Sequence, residues 1–276
     1  MTTPCEVIIY SSNQELASIT AKEILQNTKE LEKKYNYFSP DSILTKINKR
    51  ELFILDPKTK DLLQKGKLFY QATQKAFDIT IATIKPLYTL KNLEDFELKK
   101  EKLQPYIGCE HFEIKKNKII FDNPFTQIDF GGLVKEYAVD EAVKIVKKRK
   151  ISSALINFGG DIYAIGTKPN GEKFTIGIKN PQNPTLHLTS IELCDMALTT
   201  SANYERSYTI ENKSFSHIMN PQEFEADNIS VTVISQTALV SGVYSTALMC
   251  KSDLKSRYKT IKVNKNMEVM YENFDS

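Results

Sequence analysis

The chain has 276 residues, of which 41% are apolar and 26% are charged, a composition typical of a globular protein with a sizeable core. Its net charge of +3 is too small to indicate binding to nucleic acid or to a membrane surface. No segment approaches the roughly 20 consecutive apolar residues that a membrane-spanning helix needs, and the opening residues MTTPCEVIIY carry no export signal. Because the four cysteines are scattered and form no CxxC pair, we expect a cytoplasmic protein with reduced thiols.

The first half of the chain predicts a strand followed mainly by helices. The apolar patterns indicate a strand at 5–11, a long surface helix at 14–35 and a hairpin at 112–121 that turns at 116–117. Asp56 before Pro57 is a typical helix start, because it combines an N-cap with proline in the first turn. The apolar spacing predicts that this helix continues as far as Phe77.

The second half of the chain is richer in strands and turns. It predicts a strand, a glycine turn and a strand within 156–166, further strands at 173–180 and 229–235, loops at 180–184 and 220–228, and a helix at 237–250. Helices and strands mix without the regular spacing of βαβ units. We therefore expect an α+β fold with mixed sheets flanked by helices, rather than a Rossmann fold.

The segment IDFGGLVKEYAVDEAVKIV (128–146) carries the most information about a binding site. It predicts a strand that ends at Phe130, a glycine turn, and a helix with Lys135 in its first turn. Glycines allow a ligand to approach the backbone closely, and a helix N-terminus offers N–H groups to anions. A lysine at that end opposes the helix dipole unless an anion lies nearby. A phosphate or pyrophosphate site and an ordinary strand-to-helix turn with a solvated lysine both stay open.

Four further segments are weak signals when each is taken alone. The turn at Gly159-Gly160-Asp161 is also explained by a simple hairpin, and TTSANYER (199–206) offers several hydroxyl groups in a polar stretch. His217, the single histidine of SHIMNP (216–221), fits a structural role as well as a functional one. Asp78 in FDIT (77–80) has helix capping as its simple explanation.

In their order and identity, these segments resemble the ApbE family, the FAD:protein FMN transferases. The resemblance runs from Met1 to about Met249. It rests on MTT (1–3), SILTKIN (42–48), FDIT, DFGGLVKEYAVD (129–140), INFGGD (156–161), TSANYE (200–205), SHIMNP and SGVYSTA (241–247). Eight blocks in the family's order are not expected by chance. The resemblance implies a single domain over residues 1–276, in which two interlocked halves enclose a cleft for a flavin nucleotide.

The resemblance further implies which residues contact FAD in that cleft. They are Met1, Phe38, Asn48, Ala76, Phe77, Asp78, Asp129, Lys135, Gly159, Gly160, Asp161, Thr200, Ser201, His217 and Ile218. Asp78 would accept hydrogen bonds from adenine, and Asp129 and Lys135 would frame the pyrophosphate. Lys135 and His217 are the implied catalytic residues.

The implied reaction is transfer of FMN from FAD to a threonine of an acceptor protein with a Ser/Thr-Gly-Ala motif, and AMP is released. Such phosphoryl transfer depends on positioning and on charge neutralisation by a metal ion. The family's Mg²⁺ site corresponds here to the backbone of Gly132 and to Thr246, with Ser245 beside it.

One departure from the family pattern bears on this metal. Gly242 stands where the family has a carboxylate ligand, and Glu136 stands where the family has glycine. Because Mg²⁺ is normally bound through at least one carboxylate, we hypothesise that Glu136 supplies it and that Gly242 leaves room for it. The alternative is that Glu136 is an ordinary acid on the helix surface. Three activities stay open: metal-dependent transfer, FAD binding with little or no transfer, and hydrolysis of FAD to FMN and AMP.

Overall fold

The computed structural model describes residues 3–183, 185–203, 207–211, 213–216 and 228–274. The helices are α1 (Gln14–Tyr35), α2 (Ile43–Asn48), α3 (Pro57–Ala72), α4 (Leu93–Leu103), α5 (Val134–Lys148) and α6 (Ala238–Cys250). The strands are β1 (Cys5–Ile9), β2 (Phe112–Lys115), β3 (Lys118–Phe121), β4 (Ala154–Phe158), β5 (Asp161–Ile165), β6 (Phe174–Lys179), β7 (His187–Leu193), β8 (Met196–Ala202), β9 (Ser207–Ile210), β10 (Lys213–Ser216), β11 (Asn228–Ser235), β12 (Lys259–Asn264) and β13 (Val269–Glu272). Short 3-10 helices cover Ile79–Thr89, Gln104–Tyr106 and Cys109–His111.

A seven-stranded sheet in the order β1-β4-β5-β8-β11-β12-β13 forms the centre of the fold. Within the residue ranges given above, all of its ladders and those of the hairpins β2-β3, β6-β7 and β9-β10 are antiparallel. The α+β class is therefore confirmed, with sheets that are antiparallel rather than mixed in direction. Among the described helices, none is long and apolar enough to cross a membrane.

Apolar side chains cover both faces of this sheet. One core joins the sheet to α1, α5 and α6, and Val231 and Val233 of β11 belong to it. A second core lies between the other face and the β6-β7 hairpin, and Ile234 of β11 belongs to that one. Residues 229–233 of β11 alternate between apolar and polar side chains, and the polar ones, Ser230 and Thr232, are buried as well. The strand predicted at 229–235 is confirmed.

The predicted surface helix at 14–35 is confirmed by α1. The side chain of Asn13 caps it by accepting a hydrogen bond from Leu16 N at 2.9 Å, which satisfies a backbone donor of the first turn. Residues at three-to-four-residue spacing form its buried face, namely Thr20, Ile24, Thr28, Leu31 and Tyr35. Helix α1 packs against α5, so it supports the helix on which the candidate site is built.

Helix α3 begins as predicted but ends earlier. Asp56 caps it by accepting hydrogen bonds from Lys58 N and Thr59 N at 3.1 and 3.2 Å. The helix stops at Ala72, because the following backbone turns through positive φ angles of 53° and 70° at 74–75. The prediction that it continues to Phe77 is wrong.

The strand predicted before the glycine turn at 131–132 is also absent, since residues 124–130 form no ladder. The backbone N–H and C=O groups of this segment form hydrogen bonds with a side chain and with a 3-10 helix instead. The amide of Asn48 accepts from Ile128 N and donates to Ile128 O, both at 2.8 Å. The N–H of Asp129 donates to Ile79 O at 2.9 Å. The segment is therefore held extended without a neighbouring strand.

Candidate active site

The glycine turn that leads into α5 is shaped by close contacts, not by unusual φ angles. A Cβ on Gly131 would lie 3.0 Å from Asp129 Oδ2, and a Cβ on Gly132 would lie 3.3 Å from the ring of Phe77. The side chain of Asp129 also accepts a hydrogen bond from Gly131 N at 3.1 Å. Glycine therefore lets the turn lie against both of these side chains.

Lys135, in the first turn of α5, lies between two buried carboxyl groups. Its Nζ is 2.7 Å from Asp161 Oδ2 and 4.0 Å from Glu136 Oε1. Asp161 is fully buried and Glu136 is 5% exposed. The sequence predicted an anion near this lysine. The protein itself supplies one, the carboxylate of Asp161. Glu136 is not an acid of the helix surface.

The charges of this cluster do not balance, because two carboxyl groups face one ammonium group. Burial, followed by the neighbouring charge of Glu136, raises the pKa of Asp161 well above its usual value, although Lys135 opposes the shift. Glu136 Oε2 is buried and accepts no hydrogen bond. The two oxygens of Asp161 have no other hydrogen-bond partner, and Asp161 Oδ2 forms the ion pair with Lys135. A buried carboxyl group without a partner is costly, so the cluster favours a bound proton or an added cation.

Glu136 occupies the space in which a side chain at position 242 would lie. A Cβ on Gly242 would come within 3.0 Å of Glu136 Cδ and 3.1 Å of its Oε1. Gly242 belongs to α6, which packs beside α5. The expectation that Gly242 leaves room for Glu136 therefore agrees with the packing of the two helices.

Three hydroxyl groups meet next to Gly242. Ser201 Oγ of β8 lies 2.8 Å from Ser245 Oγ and 3.2 Å from Thr246 Oγ1 of α6. Ser245 Oγ also donates to the carbonyl oxygen of Gly242 at 3.0 Å. Thr200, which the sequence assigned to the same site, is hydrogen-bonded instead to Thr232 on the neighbouring strand at 2.8 Å.

Asp129 and Phe38 come together around a lysine that sequence reasoning missed. Lys85 forms an ion pair with Asp129, and its Nζ lies over the rings of Tyr37 and Phe38, 4.4 and 4.7 Å from their centroids. Phe38 is 76% exposed, so its ring is accessible to a planar ligand. No motif marked Lys85, which precedes a proline in an apolar segment.

Asp78 lies at the start of the 3-10 helix and already has several hydrogen-bond donors. Its Oδ1 accepts from Thr80 N at 2.8 Å and from Thr80 Oγ1 at 2.6 Å, and Cys109 Sγ lies 3.4 Å away. Burial raises the pKa of Asp78, although these hydrogen bonds oppose the shift. The helix-capping explanation is therefore confirmed.

Ala76 is half-buried beside the buried Phe77.

The comparisons with known proteins agree on one family. The ApbE family model matches residues 1–271. This chain belongs to the ApbE family. A Chlamydia pneumoniae protein named FAD:protein FMN transferase is 27% identical over 235 residues, which are 78% of this chain and 71% of that protein. A Vibrio cholerae protein of the same name is 24% identical over 239 residues, or 82% of this chain and 72% of that protein.

The fold of this ApbE-family chain is also that of solved family members. The crystal structure of the ApbE protein from Thermotoga maritima matches it with a TM-score of 0.88, covering 98% of this chain and 94% of the other. The two sequences are 23% identical. The resemblance stated from the sequence blocks is therefore confirmed for both family and fold.

The ApbE resemblance implied a set of residues that contact FAD. The structure brings some of these residues together, and others lie outside the residues that it describes. Met1, His217 and Ile218 lie outside the described residues, as does most of the loop predicted at 220–228. Gly159 and Gly160 form the predicted turn between β4 and β5 with φ angles of 63° and 94°. A Cβ on Gly160 would have no atom within 4 Å, so this side of the turn is open.

The donors present in the ApbE-family site fit a hard cation. Among the described residues, no group of three histidine, cysteine, aspartate or glutamate side chains could hold a metal. Glu136 has a buried Oε2 that accepts no hydrogen bond and packs against Gly242, and the hydroxyl groups of Ser245 and Thr246 lie on the same helix as Gly242. Oxygen donors with one carboxylate and remaining positions for water or phosphate are what Mg²⁺ takes.

Asp140 is a second residue that sequence reasoning missed in the ApbE-family block 129–140. Its carboxylate accepts hydrogen bonds from Ala238 N at 2.8 Å and from Leu239 N at 3.1 Å, so it caps the N-terminus of α6 from the neighbouring helix. Burial raises the pKa of Asp140 to about 6, and these two N–H groups oppose the shift. The sequence does carry a signal for Asp140. It is an acid four residues after Glu136, on a face of the helix whose other residues are buried.

Proposed function

We propose that this protein transfers FMN from FAD to a threonine hydroxyl of an acceptor protein and releases AMP. Its family membership and the name that its relatives share support this activity. The observation that carries the proposal is the buried cluster of Lys135, Glu136 and Asp161, which Gly242 connects to hydroxyl groups of β8 and α6. A fixed cation, a buried carboxylate with one oxygen that accepts no hydrogen bond and hydroxyl groups on the adjacent helix together suit a phosphoryl-transfer site.

In the proposed reaction the threonine oxygen attacks the phosphorus of the FMN half of FAD. A bond forms between that oxygen and phosphorus, and the bond from the same phosphorus to the bridging oxygen breaks. The bridging oxygen leaves with its electron pair as part of AMP, and the hydroxyl proton passes to water. Little covalent chemistry falls to the enzyme, so positioning and charge neutralisation are its main contributions.

We assign Lys135 to the neutralisation of the pyrophosphate. Its ammonium group is held 2.7 Å from Asp161, which is too buried to contact a ligand. We therefore assign Asp161 to the orientation of Lys135 rather than to direct contact with FAD. Such preorganised charge acts strongly because it does not have to rearrange during the reaction.

We propose that Glu136, Ser245, Thr246 and the backbone of Gly132 would hold Mg²⁺. The support is the buried, unpartnered Oε2 of Glu136 and the hydroxyl contacts next to Gly242. When bound, Mg²⁺ neutralises charge on the phosphate oxygens. The burial of Glu136 favours an active transferase over a protein that only binds FAD, because the carboxylate missing at position 242 has a substitute in the same space.

The other FAD contacts are proposed from the family resemblance. Phe38 offers an exposed ring beside Lys85 and Asp129, where a planar group of the nucleotide could stack. Asp78, the turn at 159–160 and His217 are assigned as FAD contacts on the family resemblance alone. The Ser/Thr-Gly-Ala motif of the acceptor and the cytoplasmic location stay predictions from the sequence.

The test is to incubate the protein with FAD and a peptide that carries the acceptor threonine, with and without Mg²⁺. We expect AMP release and a peptide heavier by one FMN, both dependent on Mg²⁺. Lys135→Gln is expected to lower the rate about 100-fold or more, the scale on which a lost electrostatic contact to the transition state acts. Lys148→Gln, an exposed lysine of the same helix, serves as the matched control and should keep the rate.

The products separate the three activities that the sequence left open. AMP without a modified peptide would identify hydrolysis. Tight FAD binding without either product would overturn the proposed transfer and make the protein a flavin-binding member of its family.

A further inference from the structure

Asp140 and Glu136 lie one turn apart on α5 and contact positions one turn apart on α6. The carboxylate of Asp140 accepts from Ala238 N and Leu239 N, and the side chain of Glu136 lies against Gly242. Side chains four residues apart share one face of a helix. A single face of α5 therefore contacts α6 at two points, and the two helices run antiparallel along it.

The two contacts differ in kind. Glu136 packs against the backbone of Gly242, where α6 has no side chain to which it could hydrogen-bond. Asp140 binds the first N–H groups of α6 at 2.8 and 3.1 Å. Hydrogen bonds to a charged acceptor are directional and stronger than neutral ones. Asp140 therefore provides a directional contact that holds the first turn of α6 at a defined position relative to α5.

That position decides which residues of α6 meet Glu136. Ser245 and Thr246 lie one turn beyond Gly242, and a shift of α6 by one residue would carry them about 1.5 Å along its axis. A shift of that size is large compared with the geometry that an octahedral Mg²⁺ site tolerates.

We propose that Asp140 is a positioning residue for the metal site: it fixes the register of α6 against α5, so that the carboxylate of Glu136 and the hydroxyl groups of Ser245 and Thr246 converge. This inference rests on the proposed function, since it assumes that those groups hold Mg²⁺. Asp140 itself is occupied by backbone donors and contacts neither the metal nor the substrate.

Thr237 provides a matched control, because its side chain caps the same end of α6 by accepting a hydrogen bond from within that helix. Its Oγ1 accepts from Val240 N at 3.2 Å. Thr237→Ala and Asp140→Ala each remove hydrogen-bond acceptors from the first turn of α6, but only Asp140→Ala removes the link between the helices. A role limited to helix capping predicts the same effect for both variants.

The experiment measures how much MgCl₂ raises the unfolding temperature of the full-length chain, which yields the metal affinity by linkage. We expect Asp140→Ala to weaken Mg²⁺ binding by about 10- to 100-fold, the effect of losing a residue that orients metal ligands. Thr237→Ala should stay within about twofold of the wild type. The Mg²⁺ concentration needed for half-maximal transfer should rise for Asp140→Ala in parallel, with the rate recovering at high Mg²⁺.

Asp140→Asn, which keeps one carbonyl acceptor, should fall between the wild type and Asp140→Ala, and it tests the inference if the alanine variant does not fold. Equal Mg²⁺ affinity in the wild type and the Asp140 variants, or equal losses in the Asp140 and Thr237 variants, would overturn the positioning role alone. A wild-type protein that transfers FMN but shows no response to Mg²⁺ would overturn the metal site and this inference with it.

Discussion

The side chain of Glu136 and the absence of one at Gly242 are complementary features of two neighbouring helices. Glu136 is buried, with one carboxylate oxygen that accepts no hydrogen bond. A Cβ at position 242 would lie 3.0 Å from its Cδ, closer than ordinary van der Waals contact allows. The acid and the glycine are therefore expected to depend on each other.

An exchange of the two residues tests this dependence. Glu136→Gln should abolish the Mg²⁺ response, since the amide carries no charge for the cation. Gly242→Asp alone should destabilise the protein by about 1–3 kcal/mol, because the new side chain is forced against Glu136. The double variant Glu136→Gly with Gly242→Asp should regain both stability and Mg²⁺ binding, because the carboxylate then comes from α6.

Urea unfolding and Mg²⁺ titration of the single variants Glu136→Gly and Gly242→Asp and of the double variant form a mutant cycle. Strictly additive losses in that cycle would show that the two positions do not share a function. Full Mg²⁺-dependent transfer by Glu136→Gln would likewise exclude Glu136 as the carboxylate.

For single residues, the sequence identified those that lie within a recognisable motif. Lys135, Glu136 and Gly242 were predicted to be important, and they lie together. Asp140 and Lys85 were missed because their partners are distant in the sequence: backbone N–H groups of α6 for the first, and Asp129 for the second. Pairings of that kind depend on how elements pack, which a single sequence does not record.

The start of a helix can be predicted from the sequence where a capping residue provides the physical cause. Asp56 is such a residue for α3. Its carboxylate accepts from Lys34 Nζ at 2.7 Å as well as from Lys58 N and Thr59 N. Burial disfavours the charged form, but these hydrogen bonds outweigh it and lower the pKa of Asp56 to about 2. The charged carboxylate is thus more stable in the folded protein than in the unfolded chain.

Replacement of Asp56 should therefore have a pH-dependent cost. An acid whose pKa falls on folding stabilises the protein above its unfolded pKa, about 3.9 for aspartate, and that contribution is lost as the pH falls towards 2. We expect Asp56→Ala to lower the free energy of unfolding by about 1 kcal/mol near neutral pH. The side chain is partly exposed, so solvent screening keeps the effect modest.

Asp56→Asn separates the charge from the cap, because asparagine also caps helices well. The difference between wild type and Asp56→Asn should shrink as the pH falls from about 4 to about 2, whereas the difference between the Asn and Ala variants should stay constant. Urea unfolding over this range measures both differences. If the wild type and Asp56→Asn differ equally at every pH, the charge of Asp56 contributes nothing to stability.

Strands were predicted less completely than helix ends. The hairpin around 159–160 was found because two glycines with positive φ mark the turn. The polar sequence of β8 hid a central strand, in which Thr200 hydrogen-bonds to Thr232 of the neighbouring β11. The opposite error arose at 128–130, where an apolar pattern predicted a strand but the amide of Asn48 satisfies the backbone instead.

At the scale of the whole molecule, the central sheet draws its strands from both ends of the chain. Strand β1 begins at Cys5 and pairs with β4, while β13 ends at Glu272 and pairs with β12. Helices α5 and α6, which carry the proposed metal ligands, contact this sheet directly. We propose on this basis that residues 1–276 form a single domain, because no cut in the sequence divides the sheet from the helices of the site.

A single domain should unfold in one cooperative transition. Leu62 of α3 lies in the core shared with the helices, and Phe174 of β6 lies in the core on the other face of the sheet. Both are buried, so Leu62→Ala and Phe174→Ala should each cost about 2–5 kcal/mol. In calorimetry each variant should shift one and the same transition, with a ratio of calorimetric to van't Hoff enthalpy near one. Separate transitions, each lowered by only one variant, would instead mean that the two faces of the sheet belong to independently folding units. In that case the proposed metal site on α5 and α6 would depend only on the stability of the folding unit that contains Leu62.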